Sequence, residues 1–236
     1  MPIHLIWGDD YEGITREIDD IIKNNTDPVW QSFNISRLDG QDLKESFKAL
    51  EEVQSGPLGN GSRVVLVKRS PFCNGCSLDL ANKLEQALKV IPDNTHLILY
   101  NPNKPDKRLK TTQLIQKSIQ NNSLSSEKNY MLPLPWDIKG QRQLVESIAL
   151  KLNLKMNLET TDLIVESLGN DSSLIYSELQ KISLLSEAKG KRVNQSQKLE
   201  IKKEIVNELI QSQSTNALEI ANLLINSQTT KALIKI

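Results

Sequence analysis

The run Ile3-His4-Leu5-Ile6-Trp7-Gly8-Asp9-Asp10-Tyr11-Glu12-Gly13-Ile14-Thr15 decides the fold. Its first five residues form an apolar stretch of strand character, and from Tyr11 to Ile22 the residues Ile14, Ile18, Ile21 and Ile22 recur at helical spacing. A buried strand that feeds a helix through a glycine turn is the opening unit of a parallel α/β sheet. The same turn has the outline of a phosphate cradle, in which backbone N–H groups and a lysine in the pattern G-x-x-x-x-G-K-S/T hold a polyphosphate. Gly8, Gly13 and Thr15 fall in register, but Ile14 occupies the lysine position. Isoleucine brings no charge to the phosphates, and Asp9, Asp10 and Glu12 repel a polyanion. We therefore read Gly8, Gly13, Ile14 and Thr15 as a degenerate phosphate loop, a plain strand-to-helix turn whose acidic residues suit the positive end of a helix.

Outward from this unit, short β-type runs continue to alternate with amphipathic segments. Trp30 to Ile35 predicts a second strand, and Gln41 to Val53 a helix with Leu43, Phe47, Leu50 and Val53 on one face. Arg63 to Val67 and His96 to Tyr100 are continuous apolar runs, the pattern of strands buried on both faces. Helices are predicted at Leu78 to Val90 and Lys107 to Gln120, followed by a polar stretch from Asn121 to Asn129. After Pro133 and Pro135 no further β-type run is expected, which places a domain boundary near 135. Helices are predicted there at Gly140 to Leu152, Leu158 to Leu168, Ser172 to Leu185 and Gln197 to Gln211, with Lys189-Gly190-Lys191 as a turn. Asn216 to Ile236 carries helical leucines without a stop signal and reads as the opening of a third domain cut short.

The chain of 236 residues balances 29 basic against 29 acidic side chains, so no global attraction to DNA or to anionic lipid is expected. Its N-terminal apolar stretch is too short for a signal peptide, and no run approaches the roughly 18 apolar residues of a membrane helix. Two cysteines build no disulfide framework, and together these features predict a cytoplasmic protein without a membrane partner. Cys73 and Cys76 have the spacing of half a metal knuckle, yet no second pair exists and the only histidines are His4 and His96. We expect two semi-buried thiols, and neither metal nor cofactor. At the end of the third strand, where a nucleotide-hydrolysing fold places carboxylates for magnesium and water, stand Lys68 and Arg69. No catalytic residue is expected.

Three segments resemble the delta subunit family of the bacterial DNA polymerase III clamp loader. The first is Ile6-Trp7-Gly8-Asp9-Asp10-Tyr11. The second is the strand at 96 to 100 with Asn101-Pro102-Asn103-Lys104-Pro105-Asp106-Lys107-Arg108-Leu109-Lys110, similar to a D-K-R-x-K helix entry. The third is Leu168-Gly169-Asn170-Asp171-Ser172-Ser173-Leu174 with Glu178-Leu179-Gln180-Lys181-Ile182. The resemblance covers about residues 1 to 211 and implies an α/β, mainly parallel-sheet AAA+/RecA-like domain at 1–135, a small all-helical lid domain at 136–211 and the start of a truncated helical collar at 212–236. Ser173 stands where relatives often carry an arginine, and no arginine occurs elsewhere on that helix, so a nucleotide sensor is not expected there.

By this resemblance the chain is a non-enzymatic subunit that binds and helps open the beta sliding clamp for loading onto primed DNA. Its partners would be the gamma/tau and delta-prime subunits. The clamp-binding positions are Pro57, Leu58 and Gly59, within Ser55-Gly56-Pro57-Leu58-Gly59-Asn60-Gly61-Ser62. Relatives carry a bulky residue where Gly59 stands, which implies a weaker wedge unless neighbours such as Pro57 and Val53 compensate. Lys107, Arg108 and Lys110 form the densest basic cluster and are candidates for contact with DNA or a partner. Two other readings make different predictions: a divergent AAA+ ATPase would bind nucleotide, and a stand-alone DNA-binding module would bind DNA with strong salt dependence.

Overall fold

In the computed structural model, which describes residues 2–188, 199–201 and 206, the chain divides into two compact units, Met1–Met131 and Leu132–Ile236. Five strands build the first unit: β1 (Ile3–Gly8), β2 (Ile35–Asp39), β3 (Arg63–Lys68), β4 (Thr95–Asn101) and β5 (Ser126–Tyr130). All pairings are parallel, in the order β2-β3-β4-β1-β5. The helices are α1 (Tyr11–Asn25), the single turn α2 (Gln31–Asn34), α3 (Leu43–Glu52), α4 (Leu78–Ala87) and α5 (Lys110–Gln120).

Alternation along the strands sorts their side chains into two cores, because successive residues of a strand point to opposite faces. Leu5, Val65, Val67, Leu97 and Leu99 pack with Leu50, Leu84 and Ile115 of α3, α4 and α5. Ile6, Val64, Leu66, Ile98 and Tyr100 pack with Ile14, Ile18, Ile21 and Ile22 of α1. Every residue of β4 is buried, as a central strand covered on both faces requires.

Two expectations for this unit need correction. The second strand lies not at Trp30 to Ile35 but at Ile35–Asp39, and Gln31–Asn34 is a helical turn. The turn begins where Asp27 accepts the Val29 N–H at 2.9 Å, and it ends on Asn34, which is fully buried. Local turn chemistry thus overrides the strand propensity of Val29, Trp30 and Phe33. The polar stretch at 121 to 129 leads into the edge strand β5, whose sequence Ser-Glu-Lys-Asn-Tyr carries no apolar run. It is held by the backbone ladder to β1 and by side chains of α1: Glu17 on that helix receives Lys128 Nζ at 2.6 Å and the Tyr130 hydroxyl at 2.5 Å.

The second unit contains α6 (Ile138–Lys151), β6 (Leu154–Lys155), α7 (Leu158–Leu168), α8 (Ser172–Ala188) and β7 (Leu199–Glu200). Val145, Ile148, Ile164, Ile175, Leu179 and Ile182 form its core, which Ile201 and Val206 join. It is therefore not purely helical: β6 pairs in parallel with β7, which lies within the segment Gln197 to Gln211 expected to be helix. Two short strands of two residues each leave almost no periodic signal. The turn at Lys189-Gly190-Lys191, most of Gln197 to Gln211 and the segment 212–236 lie outside the described residues.

Candidate functional site

The turn between β1 and α1 is closed by its own side chains. Asp10 caps α1, its carboxylate accepting the N–H of Gly13 at 2.8 Å, and its backbone N–H donates to the Tyr130 carbonyl at 2.9 Å. Gly8 has φ +139, and a Cβ there would collide with that carbonyl; a Cβ on Gly13 would collide with the Asp10 carboxyl group. The Gly13 N–H, a donor that could face a phosphate, therefore faces a carboxylate of the same chain, which satisfies it and repels a second anion. Ile14, in the lysine position, is 1% exposed and packs in the α1 core. Thr15 donates its hydroxyl to the Tyr11 carbonyl at 2.9 Å.

At the end of β3, Lys68 is exposed and Arg69 takes a positive φ of 51, its guanidinium paired with Asp39 at the end of β2. An acid at this edge of the sheet is thus neutralised by the neighbouring strand.

The loop from Ser55 to Ser62 stands beside the α2 turn and is fastened to it. The Asn34 side chain accepts from the Leu58 N–H at 2.7 Å and donates to the Leu58 carbonyl at 2.9 Å. Lower down, Ser62 N–H donates to the Asn25 carbonyl at 2.8 Å, and Gly61 forms a bridge with Thr26. Held by both its backbone groups, Leu58 presents a side chain that is 54% exposed. Pro57 is half-buried, and Val53, named as a compensating neighbour, is fully buried in the sheet core. Gly59 has φ +67, with the indole of Trp30 in the space a Cβ would need. Read from the sequence, Trp30, Phe33 and Asn34 fall in the predicted strand at Trp30 to Ile35, which hides their place beside this loop. The signal that could have found them is Asp27-Pro28, a turn opener directly before an uncharged aromatic run.

Lys107 and Arg108 lie in the turn before α5, and Lys110 is that helix's first residue, so the three are brought together. Arg108 forms a fork with Asp106, with Nη2 at 2.8 Å, and these hydrogen bonds lower the Asp106 pKa to about 2. Lys110 pairs with Glu85 at 2.8 Å. Two of the three cations are therefore already opposed by carboxylates, although such exposed pairs exchange readily.

Cys73 is buried in the sheet core, and burial pushes its thiol up to about 12; burial also raises Cys76. His4 and His96 sit together at the opposite, N-terminal ends of β1 and β4, with Nε2 of His4 3.1 Å from Nδ1 of His96. No group of three or more metal-ligating side chains occurs among the described residues. Nor is any described helix long and apolar enough to cross a membrane.

In the second unit Gly169 ends α7 with φ +61, and Asp171 accepts the N–H groups of Ser173 and Leu174 at 3.0 Å to open α8. Glu178 is buried and paired with Lys181 at 2.8 Å. The third motif is thus a helix–turn–helix corner whose polar residues cap and close it.

Residues 4–124 match the family described as DNA polymerase III, delta subunit. No curated protein matches the chain. Among solved structures, the DNA clamp loader delta protein of Bacillus subtilis has a TM-score of 0.73 at 20% identity, covering 100% of this chain and 66% of that one. The chain therefore spans just under two thirds of that protein's length. A variant of RuvB from Thermotoga maritima has a TM-score of 0.43 at 12% identity, covering 93% of this chain and 64% of that one. A DNA polymerase III gamma subunit-related protein from Thermotoga maritima has a TM-score of 0.40 at 15% identity, covering 99% of this chain and 71% of that one. The Bacillus likeness shows a shared fold, the mainly parallel α/β architecture that the three motifs implied.

Proposed function

This chain belongs to the DNA polymerase III delta subunit family, and on that premise we propose that it is a clamp-loader subunit that binds the beta sliding clamp and hydrolyses no ATP itself. The observation that carries the proposal is a pairing of opposites within one domain. Its phosphate loop is filled by Asp10, while Leu58 is held out to solvent on a loop whose backbone is fixed by Asn34. A fixed loop loses little further conformational freedom on docking, so burial of Leu58 translates efficiently into affinity.

The mechanism is a population shift: a subunit that binds only an opened or relaxed ring interface favours that state in proportion to its differential affinity. ATP would be hydrolysed by gamma/tau partners, with delta-prime completing the assembly and primed DNA entering the complex. Residues 136–211 would act as the lid, and 212–236 would begin the collar. The compartment would be the cytoplasm.

The test is capture of the cognate clamp by the purified chain, with Leu58→Ala beside wild type and thermal melting as a check on folding. Burying one leucine is worth about 1.5–3 kcal/mol, so the variant is expected to bind roughly tenfold to a hundredfold more weakly. Undiminished capture by the variant would remove Leu58 from the interface. Absence of capture by wild type would overturn the function. Calorimetry at millimolar ATP is expected to show no binding, and a measurable isotherm would favour the ATPase.

A further inference from the structure

Position 59 lacks a bulky side chain, yet the place such a side chain would take is not empty. The indole of Trp30 lies against the Gly59 backbone, and a Cβ there would collide with its ring atoms Cδ2, Cε2 and Nε1. Gly59 also has φ +67, a conformation that disfavours any residue with a side chain. Glycine is thus the residue that lets the ring approach.

Trp30 does not stand alone. Its ring centroid is 6.3 Å from that of Phe33, with the planes tilted by 55°, and exposure reaches 38% for Trp30, 61% for Phe33 and 77% for Val29. Asn34, at the end of the same turn, holds both backbone groups of Leu58. Trp30, Phe33 and Leu58, exposed apolar side chains from two separate loops, are in this way brought to one patch.

The two segments that carry these side chains hold no charge of their own, and the charged residues Asp27, Arg37, Glu52 and Arg63 stand at their borders. Neither the segment 28–36 nor the segment 53–62 contains a single acidic or basic residue, in a chain that is 25% charged. Segments without cations of their own offer little to a nucleic acid backbone, whereas exposed aromatic side chains such as Trp and Phe are enriched at protein interfaces.

We infer that Trp30 and Phe33 supply the second half of the clamp anchor, so that the gripping surface is a composite of the α2 turn and the Leu58 loop. The occupant is the sliding clamp, through an uncharged apolar pocket large enough for an aromatic pair beside a leucine. This rests on the proposed clamp-binding function and is continuous in space with Leu58, the residue that function assigns to the interface.

The experiment measures affinity of the purified full chain for the cognate clamp by surface plasmon resonance, with melting curves recorded for every variant. Trp30→Ala and Phe33→Ala are each expected to weaken binding by about tenfold or more, as truncated hot-spot side chains do. Gly59→Phe is expected to weaken binding as well, since the new ring displaces the indole. Binding lost with Leu58→Ala but unchanged within twofold by Trp30→Ala and Phe33→Ala would overturn the inference and leave the proposed function standing. Tighter binding by Gly59→Phe would also overturn it, because position 59 would then be a lost anchor and not a seat for Trp30. Failure of the wild-type chain to bind would overturn both. Should Trp30→Ala fail to fold, the largely exposed Phe33, together with Gly59→Phe, decides the outcome.

Discussion

Ile14 packs at 1% exposure with Ile6, Ile18 and Ile98, while the Asp10 carboxylate receives the Gly13 N–H at the helix end where a phosphate oxygen would sit. Two independent features therefore stand between this turn and a nucleotide, one apolar and one anionic. Restoring the lysine alone changes only the first, and it puts an ammonium group in a slot that Ile14 fills as part of an aliphatic core. We predict that Ile14→Lys gains no ATP affinity at millimolar concentration by calorimetry, and loses about 3 kcal/mol or more of stability in urea unfolding. Nucleotide binding by this variant would show that the turn is only one substitution away from function. At this scale Ile14 was legible, because a register of glycines fixes which residue fills each slot. Gly59 was not: its meaning depends on a tryptophan 29 positions earlier in the chain, and such proximity is set by tertiary structure alone.

At the scale of elements, legibility followed apolar periodicity. β1, β3 and β4 carry buried aliphatic runs and were placed closely, as was α1 with its isoleucine stripe. The misplaced second strand and the missed β5 are both cases in which side chain chemistry other than burial determines the element. In β5, polar residues leave no pattern in one sequence, and the strand exists because β1 offers an open edge and Glu17 a charged anchor. Glu17 is buried with Lys128 and the Tyr130 hydroxyl as partners, and burial together with Glu17 holds the Tyr130 hydroxyl well above its ordinary pKa. Substituting Glu17→Gln keeps the shape and removes the charge. It is expected to cost about 1–3 kcal/mol and to speed amide hydrogen exchange selectively at 126–130, with β3 and β4 remaining protected. Uniform acceleration across the sheet would mean that β5 is not an edge fastened separately.

For the whole molecule, each of the two units has its own apolar core, and both histidines of the chain lie in the first. His4 and His96 stack at 5.4 Å between ring centroids on adjacent strands β1 and β4, and His4 Nδ1 also meets Ser126 Oγ on β5 at 2.9 Å. Burial first, then the neighbouring His96, lowers the His4 pKa from 6.5 to about 4, with Glu17 opposing and Lys128 reinforcing the shift. Burial likewise lowers His96. The unfolded chain therefore takes up protons near pH 6.5 that the folded unit refuses until pH falls much further. The sign follows from linkage: this contribution is fully present above about pH 6.5 and is lost progressively as pH falls toward 4, amounting to a few kcal/mol at most. We predict that urea midpoints for the unit Met1–Met131 drop between pH 6.5 and 5, before most carboxylates titrate, and that His4→Gln combined with His96→Gln flattens this part of the profile. The unit from Leu132 onward contains no histidine and is expected to show no such slope over the same interval. If the double variant kept the wild-type slope, the acid sensitivity would belong to other groups, and the histidine pair would be a packing element joining three strands without electrostatic consequence.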